Sequence, residues 1–147
     1  MTSIRKIELP VPGIEQLQIE ALDEGYNFIE TLLEDWNSGE NRFDAPGEIL
    51  CGHFDQGQII AVGGLNCDPF AADPEVGRIR RVYVRQAWRN RGIGRALVAA
   101  LVTEARQHFR CVRLRAENAS AACLYERLGF APIVNTDATH IMTFEQK

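Results

Sequence analysis

Residues 80–95 read RRVYVRQAWRNRGIGR. An apolar strand pattern, running from about Val76 to Arg85, ends inside this stretch, and a helical pattern begins at its glycines, Gly92 and Gly94. Ile93, Leu97, Leu101 and Ala105, with Val98 and Val102 alongside, have the spacing of a helix from about Gly92 to Gln107. A glycine-bearing turn between strand and helix is chemically pointed. The first helical N–H groups lack intrahelical partners, and the macrodipole adds partial positive charge there. Glycine lets the backbone approach a phosphate with no side chain intervening. Arg89, Arg91 and Arg95 supply full charges. The spacing is not a dinucleotide fingerprint, because its third glycine would fall at Leu97, nor a P-loop, because no Gly-Lys-Ser/Thr follows.

Outward from this run the chain alternates strand and helix patterns. Cys111–Ala116 is a strand, and Asn118 or Ser120 caps a short helix ending at Leu128, with Gly129 in the left-handed position beyond it. Ile133–Val134 and Thr139–Phe144 follow as strands. Upstream, Glu48–Phe54 and Gln58–Leu65 form a hairpin around Gln56-Gly57. Its second arm, apolar on both faces, belongs in the middle of a sheet. Ile4–Leu9 reads as a strand and Leu17–Leu22 as a second. A helix starts from an N-cap at Asp23, with Phe28, Leu32 and Trp36 as its stripe, and stops near Ser38-Gly39. The expectation is one α/β domain over residues 1–147, with a mixed sheet of early hairpins and later crossovers.

The chain has 46% hydrophobic and 24% charged residues, which suffices for one core and excludes disorder and low complexity. The longest apolar run, Ala96–Val102, cannot span a bilayer, so no membrane association is expected. Cys51, Cys67, Cys111 and Cys123 have no metal or disulfide spacing and read as reduced thiols of a cytoplasmic protein. No metal site is expected. Charge is unevenly placed. Residues 1–48 hold eleven acids and three bases, whereas residues 78–115 hold eleven arginines and one acid, Glu104. Arginine in that density suits a polyanionic ligand.

The run RRVYV at Arg80–Val84, R-x-x-G-x-G at Arg89–Gly94 and N-x-x-A-x-x-LYERLGF at Asn118–Phe130 together resemble the GCN5-related N-acetyltransferase (GNAT) family. The resemblance covers roughly residues 48–144. It implies a mostly antiparallel mixed sheet, flanked by helices, whose central strands splay apart around acetyl-CoA. It further implies that backbone groups of Val82, Tyr83 and Val84 bind the pantetheine arm. Backbone N–H groups of Arg89, Asn90, Arg91, Gly92, Ile93, Gly94 and Arg95 would hold the pyrophosphate. Asn118 would contact the pantetheine arm, and Tyr125 would stand beside the sulfur as general acid. Gln86 departs from the proline many members carry after the strand.

The reaction implied is direct attack by a primary amine, of a small molecule or peptide, on acetyl-CoA in a ternary complex, with CoA as product. An alkyl amine with a pKa of about 10 must first lose a proton. Many members place a glutamate near the start of this strand; here Glu75 is the nearest acid and the candidate base, with His53, Asp68 and Glu117 behind it. Trp36, Phe43 and Trp88 read as core or rim before they read as acceptor-pocket walls. On its helix alone, Tyr125 is a packing residue. The acidic N-terminal third favours a cationic acceptor, and Arg78 with Arg80 favours an amine bearing a carboxylate; the sequence leaves both open. Two other classes stand beside the enzyme: a catalytically silent CoA-binding regulatory module, and a nucleic-acid-binding domain using the arginine stripe. Net acidity and the lack of interleaved aromatics weigh against nucleic acid. Dimers are common in the family, so a homodimer is an open expectation.

Overall fold

The computed structural model describes residues 2–144. Its strands are β1 (Thr2–Lys6), β2 (Ile49–Asp55), β3 (Gln58–Cys67), β4 (Val76–Val84), β5 (Cys111–Leu114), β6 (Ala131–Pro132) and β7 (His140–Thr143). Its helices are α1 (Ile14–Asp23), α2 (Phe28–Ser38), α3 (Ile93–His108) and α4 (Ala119–Arg127). The strands form one mixed sheet in the order β1-β2-β3-β4-β5-β7-β6. Among the described residues only the β4–β5 pair is parallel. Among the described residues no helix is long and apolar enough to cross a membrane.

The β2–β3 hairpin turns at Gln56 and Gly57, both at positive φ (50° and 81°), as a two-residue turn between right-twisted strands requires. β3 is apolar on both faces because it is covered on both. Ala61 and Leu65 pack with Leu97 and Leu101 of α3. Ile59 and Val62 pack with Leu17 of α1, Ile29 and Leu32 of α2, and Phe43. A Cβ at Gly64 would lie 2.4 Å from the Phe43 ring, so glycine there is what admits that ring to the sheet.

Three expectations need correction. Leu17–Leu22 is not a strand but part of α1. Ile14, Leu17 and Ala21 are buried at helical spacing, while Ile19, which strand alternation would bury with Leu17, is 60% exposed. Asp23 does not cap the next helix; it ends α1, and α2 begins after Asn27. Ile133–Val134 is not a strand: pairing falls on Ala131 and Pro132, and Val134 is fully exposed.

Candidate active site

β4 and β5 pair only from Val76↔Cys111 to Arg78↔Arg113. β5 ends at Leu114 while β4 runs on to Val84, so the two strands part and leave one edge of β4 uncovered. β4 also carries a bulge: its register with β3 shifts between Tyr83↔Val62 and Arg80↔Gly64, and Arg81 sits at φ 60°. The Arg85 N–H bonds the Ile60 carbonyl. By the alternation of an antiparallel ladder, Tyr83 therefore also bonds across to β3, while the backbone groups of Val82 and Val84 face the uncovered edge. One of these is already engaged, since the Val84 carbonyl accepts from Arg89 Nε at 3.0 Å.

The turn into α3 is held from below by acids of α1 and the residue that follows it. Arg89 forms a bidentate pair with Glu24 (2.6 and 2.7 Å), lies over the Tyr83 ring, and spends its own N–H on the Gln86 carbonyl. That pair holds the Glu24 carboxyl below its ordinary range. Glu20 accepts from Arg85 Nε, the Gln86 N–H and the Tyr83 hydroxyl, which also bonds Glu24. Above this clamp the loop is open. Asn90 and Gly92 have positive φ (62° and 79°), α3 has no side-chain N-cap, and Arg91 and Arg95 are exposed. A Cβ at Gly92 would meet no atom within 4 Å. Gly94 acts through space instead. Its Cβ would lie 3.2 Å from Val84 and 3.7 Å from Leu124, so this glycine sets how closely α3 approaches β4 and α4.

Where the strands part lies a cleft of about 200 Å³, lined by Phe28, Phe70, residues 78–82, Arg115, Glu117 and Tyr125. Tyr125 is buried, with its ring edge-on to Phe130 and His140, and its hydroxyl has no hydrogen-bond partner among the described residues. Burial, and then the Glu117 charge, push its phenol up to about 12. Asn118 caps α4, its Oδ1 accepting from the Ala121 N–H (2.8 Å) and its Nδ2 donating to the Tyr26 hydroxyl (3.2 Å).

Glu75 is not brought to this cleft. It precedes β4, is exposed, and stands about 13 Å along the strand from Ile79, where pairing with β5 has ended. Asp68 is buried in an ion pair with Arg113 (2.8 Å) and Arg78 (3.5 Å). His53 is buried on β2, and burial lowers its pKa. Of the acids named from sequence, Glu117 is the one beside Tyr125. Phe28 and Phe70 are the aromatic walls, whereas Phe43 is core and Trp88 is covered by Arg91. Sequence reading missed Glu20, Glu24 and Asp35 as partners of the arginine stripe, although the opposed charges of residues 1–48 and 78–115 were the available signal.

The chain matches the acetyltransferase (GNAT) family over residues 11–130, and it belongs to that family. A protein from Exiguobacterium sp. 255-15, described as a candidate acetyltransferase, is 26% identical; the match covers 97% of this chain and 93% of that one, with a TM-score of 0.88. A GCN5-related N-acetyltransferase from Kribbella flavida shares the fold at 22% identity, with 96% and 95% of the chains covered and a TM-score of 0.75. So does a candidate acetyltransferase from Salmonella typhimurium, solved with acetyl-CoA, at 16% identity, 99% and 95% coverage and a TM-score of 0.69.

Proposed function

We propose that this chain transfers an acetyl group from acetyl-CoA to a primary amine, by direct attack in a ternary complex. The observation that carries the reading is Tyr125, a buried ring lining the cleft bounded by the uncovered edge of β4, whose hydroxyl has no hydrogen-bond partner among the described residues. The residues present fit the cofactor. The uncapped first turn of α3 offers the N–H groups of Ile93, Gly94 and Arg95 to a diphosphate, with Arg91 and Arg95 supplying charge. The outward backbone groups of Val82 and Val84 suit the amides of a pantetheine arm. The remaining Nδ2 proton of Asn118 would reach the same arm.

Acetyl-CoA, when bound, supplies an activated acyl carbonyl and a thiol as leaving group. Tyr125 donates its phenolic proton to the sulfur. In water a tyrosine is a poorer acid than a thiol by about 1.5 units. Burial changes both together: the core thiol of Cys51 is pushed up to about 11 by desolvation first, in the direction that Tyr125 moves. The two proton affinities rise side by side, so the gap between tyrosine and thiol stays close to its value in water, and Tyr125 works at the low end of the general-acid range. Glu117, at the cleft beside Tyr125, takes the proton of the incoming ammonium, directly or through water; Glu75 is too remote for this.

The test is thiol release from acetyl-CoA against a panel of amines, with the acetamide product identified by mass. Thiol release that depends on the amine, with matching acetamide, is expected. Thiol release that ignores the amine would point instead to a silent CoA-binding module. The arginine stripe is a poor nucleic-acid surface, because Arg78, Arg81, Arg85, Arg89, Arg110 and Arg113 are paired with acids of the chain itself.

A further inference from the structure

The face of β4 turned toward α2 carries more positive charge than the protein neutralises. Arg78, Arg80 and Arg81 line one side of the cleft, and Arg115 completes the set. Two of the four are accounted for. Arg78 pairs with Asp68 and donates to the Asp137 carbonyl at 2.6 Å, and Arg115 donates to the Thr136 carbonyl at 2.5 Å. Among the described residues Arg81 makes one ion pair, with Asp35 at 3.8 Å, and its Nε is buried with no acceptor. Arg80 has no carboxylate or carbonyl in hydrogen-bond contact among the described residues; its neighbour is the Phe70 ring, 6.0 Å from the guanidinium carbon. Burial, then the Arg81 and Arg78 charges, pull the Arg80 pKa down to about 10. A half-buried guanidinium with like charges on both sides is costly to hold unless something pairs with it.

The charge that would answer it is not in the N-terminal acids. Glu20, Glu24 and Asp35 are paired with Arg85, Arg89 and Arg81; Asp35 and Asp68 act on Arg80 through space, but burial and the Arg81 and Arg78 charges outweigh them. A ligand is left to supply it. We infer that the acceptor amine carries a carboxylate, held by the guanidinium of Arg80 where it lines the cleft. A planar guanidinium fork matches a carboxylate. The cleft's volume of about 200 Å³ is less than the roughly 300–1,000 Å³ that holds a drug-sized ligand, which favours a short amino acid.

This inference rests on the reading of the cleft as an acceptor site, so its test uses binding as well as turnover. The CoA-saturated protein is titrated calorimetrically with alanine, β-alanine and glutamate, with their carboxamides, and with aminomethylphosphonate. At least one acid should bind at least tenfold more tightly than its amide. Arg80→Gln should remove about 10- to 100-fold of the affinity for acids, the range expected for a charge-assisted contact, and little of that for amides. Amides that match the acids, acids that do not bind at all, or an Arg80→Gln protein that binds acids like wild type would each overturn the inference. Tighter binding of the phosphonate would overturn the carboxylate assignment. Thiol release under the same conditions separates the two readings. Acid-selective binding without any acetyl transfer sinks the transferase reading alone; transfer confined to amines lacking an acid sinks this inference alone.

Discussion

Tyr125 concentrates the chemical claim in one oxygen atom. Tyr125→Phe keeps the ring against Phe130 and His140 and removes only a hydroxyl with no hydrogen-bond partner among the described residues. Folding should therefore survive, kcat should fall by around 10²-fold, at the low end of the general-acid range, and acetyl-CoA affinity should change little. Lowered stability with unchanged kcat would make it a packing residue. Asp68 is the opposite kind of residue, fully engaged and away from the reaction. Burial alone would raise its pKa, but the Arg113 hydrogen bond, the Phe70 N–H and the charges of Arg78 and Arg113 outweigh that and lower it. A carboxyl with a lowered folded-state pKa stabilises above its unfolded pKa, near 3.9, and loses that contribution as pH falls through the folded value. Asp68→Asn should cost about 3–5 kcal/mol at neutral pH by stranding two arginines, and its stability should fall less steeply than that of wild type below pH 4. Denaturant unfolding across pH measures both effects. Neither Tyr125 nor Asp68 could be told apart from an ordinary packing or surface residue by spacing alone; Tyr125 was legible only through the LYERLGF block around it.

At the scale of elements, the turn into α3 does two jobs with two glycines. Sequence reading gave both the same role, close approach to a phosphate, because nothing in R-x-x-G-x-G distinguishes a glycine needed for its φ from one needed for space. Gly92 is the first kind and Gly94 the second. Gly92→Ala should cost about 1–2 kcal/mol from the left-handed backbone and add no clash. Gly94→Leu should wedge α3 away from Val84 and Leu124, costing about 1–3 kcal/mol and weakening acetyl-CoA binding along with it. Equal stability losses confined to strain, with unchanged cofactor affinity in both, would contradict this division. Helices and strands with a strong period, such as α3 and the β2–β3 hairpin, were legible to within a residue or two. α1 was not, because LQIEAL alternates well enough for a strand, and only burial of Ile14 beneath the sheet shows which period the chain obeys.

Over the whole molecule, three acids of the N-terminal third, Glu20, Glu24 and Asp35, are counter-charges of the arginine-rich middle, while Glu8, Glu15, Glu34, Glu40 and Asp44 are exposed. That pairing is non-local, between residues more than forty positions apart, and a charge tally along the sequence cannot distinguish it from an exposed acidic surface. The mixed sheet and the uncapped turn into α3 were legible from local patterns. Which acid stands at the cleft was not, since Glu117 and Glu75 are told apart by their place relative to the strand separation and not by local pattern. In the proposed complex the pantetheine arm lies along the uncovered edge of β4 and the diphosphate meets the first turn of α3. Melting temperature with CoA, and with pantetheine, which lacks the phosphates, tests this most directly. At a hundred times its dissociation constant, CoA should stabilise the fold by about 2.7 kcal/mol and raise the melting temperature by roughly 5–10 °C. Pantetheine at the same concentration should raise it far less; equal shifts for the two, or no shift with CoA, would contradict that placement.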